Sequence, residues 1–454
     1  MRGPGAFTPP QNVTIDSTAD LDRLAPRAPV NVVLLDEFST RFEDMAFGRY
    51  SLKKWLDTQP QKLNAPTMLV AVDLQKFTVL RDYTQNKEEI LEALDHHFAT
   101  YPWQTHNGGW IAERYATAFN TLSRVAEATS GHVGHKNMIW IGRGFPTINL
   151  MNYPPEAAEE VDSAIQSAIT ELRDARVTLY TIDPAGLMID PGKYGQDAAD
   201  FAPFGGDADF ESLATATGGR SLHGRNDVDV QIGTAIQDNA NLYTLTYSPT
   251  DQADDDPTKF RHIKVTADRP GITFLTRQGY FPSETPERLD SSGRADERLI
   301  NELVNAVGSN MSYDAVNIAV QVSKEDTSKV FFFVPNRSLS FLPVDGSQSS
   351  YTQLIVMGSI FDKKRKMLGA QAKKYMFHAP GDMPSDKKLV VNDQSDFELP
   401  KNPKAVRARL VVRVENSGHM GTVDFALTPG ATATNGTFDM PSSMGSAQPD
   451  AANP

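Results

Sequence analysis

The stretch Val30-Asn31-Val32-Val33-Leu34-Leu35-Asp36 decides the fold class. A nearly continuous apolar run that ends at a carboxylate is typical of a strand buried on both faces of a parallel sheet. Residues 67–73 and 136–141 repeat the pattern, and segments with apolar residues at helical spacing, such as 42–58, lie between such strands. Strands joined by helical crossovers predict, for residues 30–282, a doubly wound, mostly parallel α/β sheet with helices on both faces.

Residues 313–429 have a different rhythm. Short apolar runs alternate with turn residues, and no long helical pattern lies between them, which predicts an antiparallel β-sandwich domain. The candidate strands are 316–322, 329–334, 351–361, 408–414 and 422–427. Residues 283–312 are interpreted as a linker followed by one helix, and a boundary near 283 is favoured because most of the net negative charge lies before it.

The two ends of the chain are expected to be loosely structured. Residues 1–29 are predicted to be a flexible segment, and their polar, Gly- and Pro-containing start shows no apolar core of a secretory signal. Residues 430–454 are rich in Ala, Thr, Ser, Gly and Pro, so they cannot bury enough apolar surface to order themselves. We therefore expect a disordered tail.

Composition excludes several classes of protein. The 454 residues include no cysteine, so disulfide scaffolds, thiolate metal sites and cysteine nucleophiles are excluded. The formal net charge of -13 argues against nucleic acid as a main partner, because neutralising phosphates needs clustered Lys and Arg. No apolar run reaches the length of about 18 residues that a membrane-spanning helix needs.

Seven short motifs follow one another along about 250 residues of the first domain. They are Val33-Leu-Leu-Asp-Glu-Phe-Ser-Thr40, Leu80-Arg-Asp-Tyr-Thr84, His135-Lys-Asn-Met-Ile-Trp-Ile-Gly-Arg-Gly-Phe-Pro146, Val177-Thr-Leu-Tyr-Thr-Ile-Asp-Pro-Ala-Gly186, Leu213-Ala-Thr-Ala-Thr-Gly-Gly219, Leu242-Tyr-Thr-Leu-Thr-Tyr-Ser-Pro249 and Gly279-Tyr-Phe-Pro282. Together and in this order they resemble the von Willebrand factor A-like fold, and more specifically the VWFA-related proteins of Acidobacteria. The sandwich that follows is also similar to what those proteins carry.

The resemblance implies a divalent cation at the carboxyl ends of the strands, held by an Asp-x-Ser-x-Ser loop, a Thr from a second loop and an Asp from a third. Asp36 matches the first ligand and Thr40 the last hydroxyl, but Phe38 occupies the middle serine position. Ser39 is adjacent, although strand periodicity points it to the other side unless a local bulge turns it back. The second-loop threonine stays open between two candidates, Thr105 and Thr117.

The third-loop aspartate position falls at Arg143, a cation where the family has an anion. A guanidinium beside the ion opposes metal binding. We therefore expect a degenerate adhesion-site crevice formed by Asp36, Ser39, Thr40 and Arg143, in which Arg143 takes the place of the cation and pairs with Asp36. The alternatives are a metal at Asp36 and Thr40, or a helix N-cap at Asp36 or Ser39 with a structural ion pair.

Other candidate sites have simpler interpretations. His132 and His135 lack a third ligand for zinc and are interpreted as part of a solvated turn. Gly142-Arg143-Gly144 lacks the spacing of a dinucleotide-binding loop. Residues 363–366, Lys-Lys-Arg-Lys, are interpreted as the tip of a β-turn that could touch an anionic surface. No serine nucleophile motif is present, and we expect no catalytic residues.

These patterns favour a non-enzymatic binding module whose partner is a protein or another macromolecule, with no cofactor unless Mg²⁺ or another divalent cation binds. The alternative is a metal-assisted hydrolase that uses Asp36 and Thr40 with an unidentified third ligand. Localisation is left open by the residues themselves. The resemblance implies export to the periplasm or the extracellular space, although no signal peptide is visible.

Overall fold

The computed structural model describes residues 13–99, 110–145, 148–149, 154–186, 207–208, 210–238, 261–266, 268, 271, 274–280, 294–344, 349–380 and 395–436. The chain divides into two compact units. The first comprises residues 1–126 and 132–291, and the second comprises residues 127–131 and 292–454.

The first unit alternates helices and strands along the chain. Its helices are α1 (Thr18–Leu24), α2 (Phe42–Asp57), α3 (Lys87–His96), α4 (Trp110–Thr129, whose last three residues group with the second unit), α5 (Pro155–Asp174), α6 (Phe210–Ala216) and α7 (Val228–Asp238). Its strands are β1 (Val30–Asp36), β2 (Lys62–Val72), β3 (Phe77–Asn86), β4 (Lys136–Ile141), β5 (Ile148–Asn149), β6 (Val177–Ile182), β7 (Asp207–Ala208), β8 (Ser221–Leu222), β9 (Arg261–His262) and β10 (Gly279–Tyr280).

Six of these strands form one sheet in the order β3-β2-β1-β4-β6-β8. All neighbouring pairs are parallel except the edge pair of β2 and β3, which is antiparallel. Every residue of β1, β4 and β6 is buried, as expected for central strands covered on both faces. The prediction of a mostly parallel α/β sheet is therefore confirmed.

Helices cover both faces of this sheet. On one face, side chains of β1, β4 and β6 form a core with α2, α3 and α7, in which Leu52 and Ile232 are buried. On the other face, Trp140 of β4 contacts Phe210 of α6 at a ring-centroid distance of 4.7 Å. Successive side chains along each strand point to opposite faces of the sheet, so each helical layer packs on every second side chain.

The segment before β1 is partly folded, contrary to the prediction of a flexible stretch over residues 1–29. Helix α1 is capped by Ser17, whose side chain accepts a hydrogen bond from the amide of Asp20. Ile15 and Leu21 are buried against the unit. These apolar side chains supply the packing that polar composition alone does not reveal, while residues 1–12 lie outside the described residues.

The second unit is built mainly of antiparallel strands. Its elements are α8 (Arg294–Gly308), β11 (Ala319–Val322), β12 (Lys329–Phe333), a 3₁₀ turn (Asn336–Ser338), β13 (Leu342–Pro343), β14 (Ser349–Phe361), β15 (Met367–Pro380), β16 (Ser395–Glu398), β17 (Arg407–Val414), β18 (Met420–Ala426) and β19 (Thr432–Thr434). The predicted helix after residue 283 is α8.

Two antiparallel sheets share one apolar core in this unit. One has the order β16-β12-β11-β19, and the other has the order β13-β14-β17-β18 with β15 paired to β14. Buried residues from both sheets, including Val320 and Val356, form a single cluster. This arrangement agrees with the sandwich-like packing expected from the short alternating strands.

The predicted disordered tail begins too early. Strand β19 pairs with β11, and Asn435 accepts a hydrogen bond from the amide of Ile318 at 2.7 Å. Thr and Ala occur in both edge strands and tails, so composition did not separate the two. Residues 437–454 lie outside the described residues.

Helix α8 is tied to β17 by two arginines. Arg409, only 4% exposed, donates to the carbonyl oxygens of Ala306 and Met311 and pairs with Asp424. Arg413 donates from Nε to Glu302 at 2.9 Å.

Within the described residues, no helix combines the length and apolar character needed to cross a membrane.

Candidate functional site

The candidate site lies where the strand order of the first sheet reverses. From β1 the chain proceeds first to β2 on one side and later to β4 on the other, so β1 and β4 are neighbours whose following loops diverge. Ligand crevices of open α/β sheets form at such points, outside the carboxyl ends of the strands. Asp36 is the last residue of β1, and residues 142–144 directly follow β4.

Asp36 is fully buried and accepts hydrogen bonds from four protein donors. The amide of Ser39 donates to Oδ1 at 2.9 Å, and the hydroxyl of Ser39 donates to Oδ2. Oδ2 also accepts from the indole Nε1 of Trp140 at 3.0 Å and from the amide of Gly144 at 2.7 Å. Oδ2 takes three of these bonds and Oδ1 takes one, so the carboxylate is held by the protein and has no surface open to solvent.

The turn after β1 explains how Ser39 reaches this carboxylate. The strand ends at Asp36, so the strand periodicity that pointed Ser39 away no longer applies, and an Asp side chain commonly caps a following amide in such a turn. Phe38 turns inward instead, is 2% exposed and packs edge-on against Trp140 at 6.0 Å between ring centroids. The residue in the middle serine position is therefore part of the aromatic core beneath the site.

Thr40 joins the two loops. Its Oγ1 accepts a hydrogen bond from the amide of Arg143 at 3.2 Å, and the residue is 1% exposed. Gly142 lies against both partners: a β-carbon there would stand 2.4 Å from Cβ of Asp36 and 2.6 Å from Oγ1 of Thr40, at a φ of 145°. A glycine is needed at this position because the loops approach more closely than any side chain allows.

The predicted ion pair between Arg143 and Asp36 is wrong. The amide nitrogen of Arg143 faces the site, whereas its guanidinium Nε lies 3.5 Å from Oδ1 of Asp183, at the end of β6. Both side chains of this pair are about a third exposed, so it belongs to the rim of the crevice. The backbone after β4 leads the Arg143 side chain towards the next strand, which periodicity alone does not define.

Burial sets the electrostatics of the site. Loss of solvent raises the pKa of Asp36 to about 6, and the bonds from Ser39, Trp140 and Gly144 offset only part of that effect. The cation that acts on this carboxylate is Arg114 of α4. Burial lowers the pKa of Arg114 to about 10, and the charge of Asp36 opposes that change. Arg114 is 1% exposed.

The residues present do not fit a resident divalent cation. A metal at Asp36 and Thr40 would have to compete with the Gly144 and Trp140 donors on Oδ2 of Asp36 and with the Arg143 amide on Oγ1 of Thr40. Phe38 supplies no oxygen. Among the residues that the structure describes, no three His, Asp or Glu side chains form a metal-binding group.

The two candidates for the second-loop threonine have different outcomes. The hydroxyl of Thr117 donates at 2.7 Å to the carbonyl oxygen of Glu113 in its own helix, so its oxygen serves α4. Thr105 lies outside the described residues. Asp73, at the end of β2, caps the amides of Gln75 and Lys76 and belongs to a turn of the same edge.

His132 is not part of a solvated turn. It is 3% exposed, and its Nε2 donates to the carbonyl oxygen of Ala28 at 2.7 Å. Burial lowers its pKa to about 4, with the nearby Lys136 adding to the effect. The imidazole is therefore neutral, and it fixes the backbone just before β1 through this hydrogen bond. The Gly-rich sequence around His132 gave no sign of its burial.

Exposed apolar side chains lie on loops around the closed centre. Phe42 begins α2 directly after the Asp36 turn and is 62% exposed. Leu74, 44% exposed, lies in the turn after β2, and Phe98, 80% exposed, follows His97, whose Nε2 lies 2.9 Å from Oε1 of Glu37. We call these three residues, Phe42, Leu74 and Phe98, the apolar rim.

Trp140, Gly144 and Arg114 are the site residues that sequence reasoning missed. Trp140 and Gly144 are separated from Asp36 by 104 and 108 positions in the chain. The alternation along β4 indicates that Trp140 and Ile141 face opposite sides, but not which side carries Asp36. A buried arginine on a helix gives no signal of its own.

Comparisons with known proteins add little to this geometry. No family model matches the chain, and no curated protein matches it. One similar solved structure is proximal thread matrix protein 1 from the mussel byssus, which is 16% identical, with 47% of this chain and 48% of that chain covered and a TM-score of 0.28. The match covers about half the length of that protein, and a likeness this low carries no argument about fold or function.

Proposed function

We propose that the first unit is a non-enzymatic binding module, a von Willebrand A-like domain with a degenerate adhesion site. The mostly parallel sheet and the convergence of the Asp36 and Arg143 loops at the reversal of strand order support this proposal. Such a crevice is the expected place for a ligand in this class of fold.

One observation carries the proposal: the polar centre of the crevice is buried and hydrogen-bonded within the protein, while its surroundings are exposed and apolar. Asp36 has four protein donors and no exposed surface. The apolar rim leaves large side chains in water that contact with a partner would bury. Binding would thus use surface contacts at the loops instead of a bridging cation.

The rim favours a macromolecular ligand over a small one. Its three residues come from three separate segments of the chain, and Asp36 at the centre has no exposed surface. A small molecule needs a concave pocket with a few convergent polar groups. A protein partner instead needs dispersed apolar contacts surrounded by polar groups. The partly exposed pair of Arg143 and Asp183 provides such polar groups beside the apolar rim.

A metal-assisted hydrolase has no such support. That function would require a coordinating oxygen of Asp36 and of Thr40, and both residues already accept bonds from backbone amides. No observation in the described residues favours a third ligand.

Crosslinking tests the proposal directly. A photoreactive phenylalanine analogue is placed at Phe42 and at Phe98. The control position is the exposed Gln61, which directly precedes β2 and so lies at the amino ends of the strands, away from the crevice at their carboxyl ends. We expect a macromolecular adduct of one size, shared by the two rim positions and missing from the control. No adduct at the rim, or the same adduct at all three positions, would contradict the assignment of this surface.

A second measurement separates binding from catalysis. The purified protein is melted with EDTA and with Mg²⁺, and is screened with generic esterase, phosphatase, protease and glycosidase substrates. A ligand that binds only the folded state raises the melting temperature. Since the proposed site binds no Mg²⁺, we expect the same melting temperature with Mg²⁺ and with EDTA. Robust turnover that Asp36→Ala abolishes would overturn the proposal.

A further inference from the structure

Strand β15 of the second unit is long and has one open side. It runs for 14 residues and pairs with β14 from Ser349 opposite Pro380 to Phe361 opposite Met367. Within the described residues, β14 is its only hydrogen-bonded neighbour. About half of the backbone N–H and C=O groups of an edge strand point away from its partner, so β15 offers a template for another strand.

The open strand is strongly basic. Residues 363–380 hold six Lys or Arg side chains and no Asp or Glu, in a chain whose net charge is -13. The hairpin tip, Lys363–Lys366, is exposed, and Asp362 organises it by accepting the amides of Lys364 at 2.8 Å and Lys366 at 2.9 Å. Lys373 and Lys374 continue the positive charge on opposite faces of the strand; both are exposed, and the ammonium of Lys374 lies 3.5 Å from Oε1 of Glu415.

The strand is also held firmly on its inner side. Tyr375 donates from its hydroxyl to the carbonyl oxygen of Asp396 at 2.6 Å, and its ring packs edge-on against Phe332 at 5.2 Å. The ammonium of Lys373 lies 4.7 Å from the centre of the Tyr375 ring. A preformed edge needs little ordering when a partner adds to it, which lowers the entropy lost on binding.

We propose that the open edge of β15 binds an extended acidic segment of a partner protein as an added β-strand. Backbone hydrogen bonds to β15 would supply the affinity, and carboxylates opposite Lys373 and Lys374 would supply the selectivity. The exposed Met376 offers an apolar contact between acidic positions. This surface belongs to the second unit and does not depend on the site proposed at Asp36.

The same charges disfavour other occupants of the edge. A second copy of this chain would bring lysines of one β15 opposite lysines of the other, and like charges in cross-strand positions destabilise a sheet. A neutral or basic strand gains no attraction from residues 363–374. The charge pattern thus disfavours self-association and favours an acidic chain.

Fluorescence anisotropy of a synthetic probe tests the proposal on the full chain. The probe is an N-acetylated peptide of about ten residues in which Glu-Glu and Val-Val pairs alternate, so that each face of the added strand carries Glu opposite one lysine and Val opposite the next side chain on that face. At about 3.4 Å per residue it covers most of β15. We expect saturable binding that weakens at least about tenfold between about 0.05 M and 0.5 M salt. Two matched peptides, one with Gln in place of Glu and one with alternate backbone amides methylated, should both lose binding.

Charge-reversal variants locate the surface. The pair Lys373→Glu and Lys374→Glu should weaken binding by at least about tenfold, because attraction becomes repulsion at the centre of the strand. The matched control pair is Lys324→Glu and Lys404→Glu, both exposed in loops outside β15. These controls change the net charge equally and should leave the affinity within about twofold.

Hydrogen exchange separates strand addition from loose electrostatic contact. The outward amides of β15 should exchange rapidly in the free protein and become protected when the acidic peptide binds. The proposal is overturned if these amides are already protected, since another part of the chain then covers the edge. Equal binding of the methylated peptide, or binding of phosphatidylserine vesicles in place of the acidic peptide, also overturns it.

Discussion

The protonation of Asp36 gives the sharpest test of the site. Burial raises its pKa in the folded protein to about 6, whereas the free side chain has a pKa of 3.8. Between these two values the folded state holds a proton that the unfolded state has released. The contribution of Asp36 to the free energy of unfolding is therefore complete below pH 3.8 and is lost as the pH rises through 6.

The magnitude follows from the two pKa values. A difference of one pKa unit corresponds to about 1.4 kcal/mol, so the change from 3.8 to about 6 corresponds to about 3 kcal/mol. Asp36→Asn is neutral at every pH and has no such dependence. The wild-type protein should therefore lose about 3 kcal/mol of unfolding free energy relative to this variant between about pH 3.5 and pH 7.

Urea unfolding at a series of pH values measures this difference. All four tryptophans precede residue 292, so their fluorescence follows the first unit. The difference between wild type and variant cancels the titration of other groups, including His132. Arg143→Gln serves as a matched background, in which the slope should persist because that guanidinium lies beside Asp183.

The opposite slope would refute the reasoning. If Asp36 were held as a carboxylate by an ion pair, its folded pKa would lie below 3.8 and wild type would gain stability relative to Asp36→Asn as the pH rises. A flat difference would show that burial and the four hydrogen bonds balance. A slope that becomes clearly steeper in the Arg143→Gln background would restore the ion pair that the sequence predicted, because loss of a neighbouring cation raises the pKa of a carboxyl group further.

Three further predictions concern packing, acid stability and the second unit. Gly142→Ala should destabilise the first unit by more than about 3 kcal/mol in urea unfolding, because its β-carbon would overlap Asp36, whereas Gly224→Ala, at a φ of 68° with nothing within 4 Å, should cost about 1 kcal/mol. The lowered pKa of His132, about 4 against 6.5 for the free side chain, means that only the unfolded state takes up a proton between these values. The free energy of unfolding should therefore fall by about 3 kcal/mol as the pH falls from 6.5 to 4, and His132→Gln should remove this contribution in the same assay. Arg409→Met should destabilise the second unit by about 3 kcal/mol or more in calorimetry, because Asp424 and the carbonyl oxygens at the end of α8 lose a buried donor. The control Arg407→Met, at an exposed position of the same strand, should leave the free energy of unfolding almost unchanged.

Several elements could be predicted because their signals are local. The apolar runs of β1, β4 and β6 predict central parallel strands, since burial on both faces leaves no room for polar alternation. Strand β15 was missed for the opposite reason. Its inner face mixes Gln371 and Lys373 with two aromatic residues, so neither an apolar run nor strict alternation marks it as a strand.

The sequence by itself determined that Asp36 ends a buried strand and that Thr40 and residues 142–144 lie at the same edge of the sheet, because parallel strands bring their carboxyl ends together. Only the tertiary structure decided which groups meet there. It placed the indole of Trp140 and the amide of Gly144 on the carboxylate, turned the guanidinium of Arg143 to Asp183 and buried Arg114 nearby. Such contacts depend on side-chain directions and helix positions across about a hundred residues of chain, and the pattern of neighbouring residues does not encode them locally.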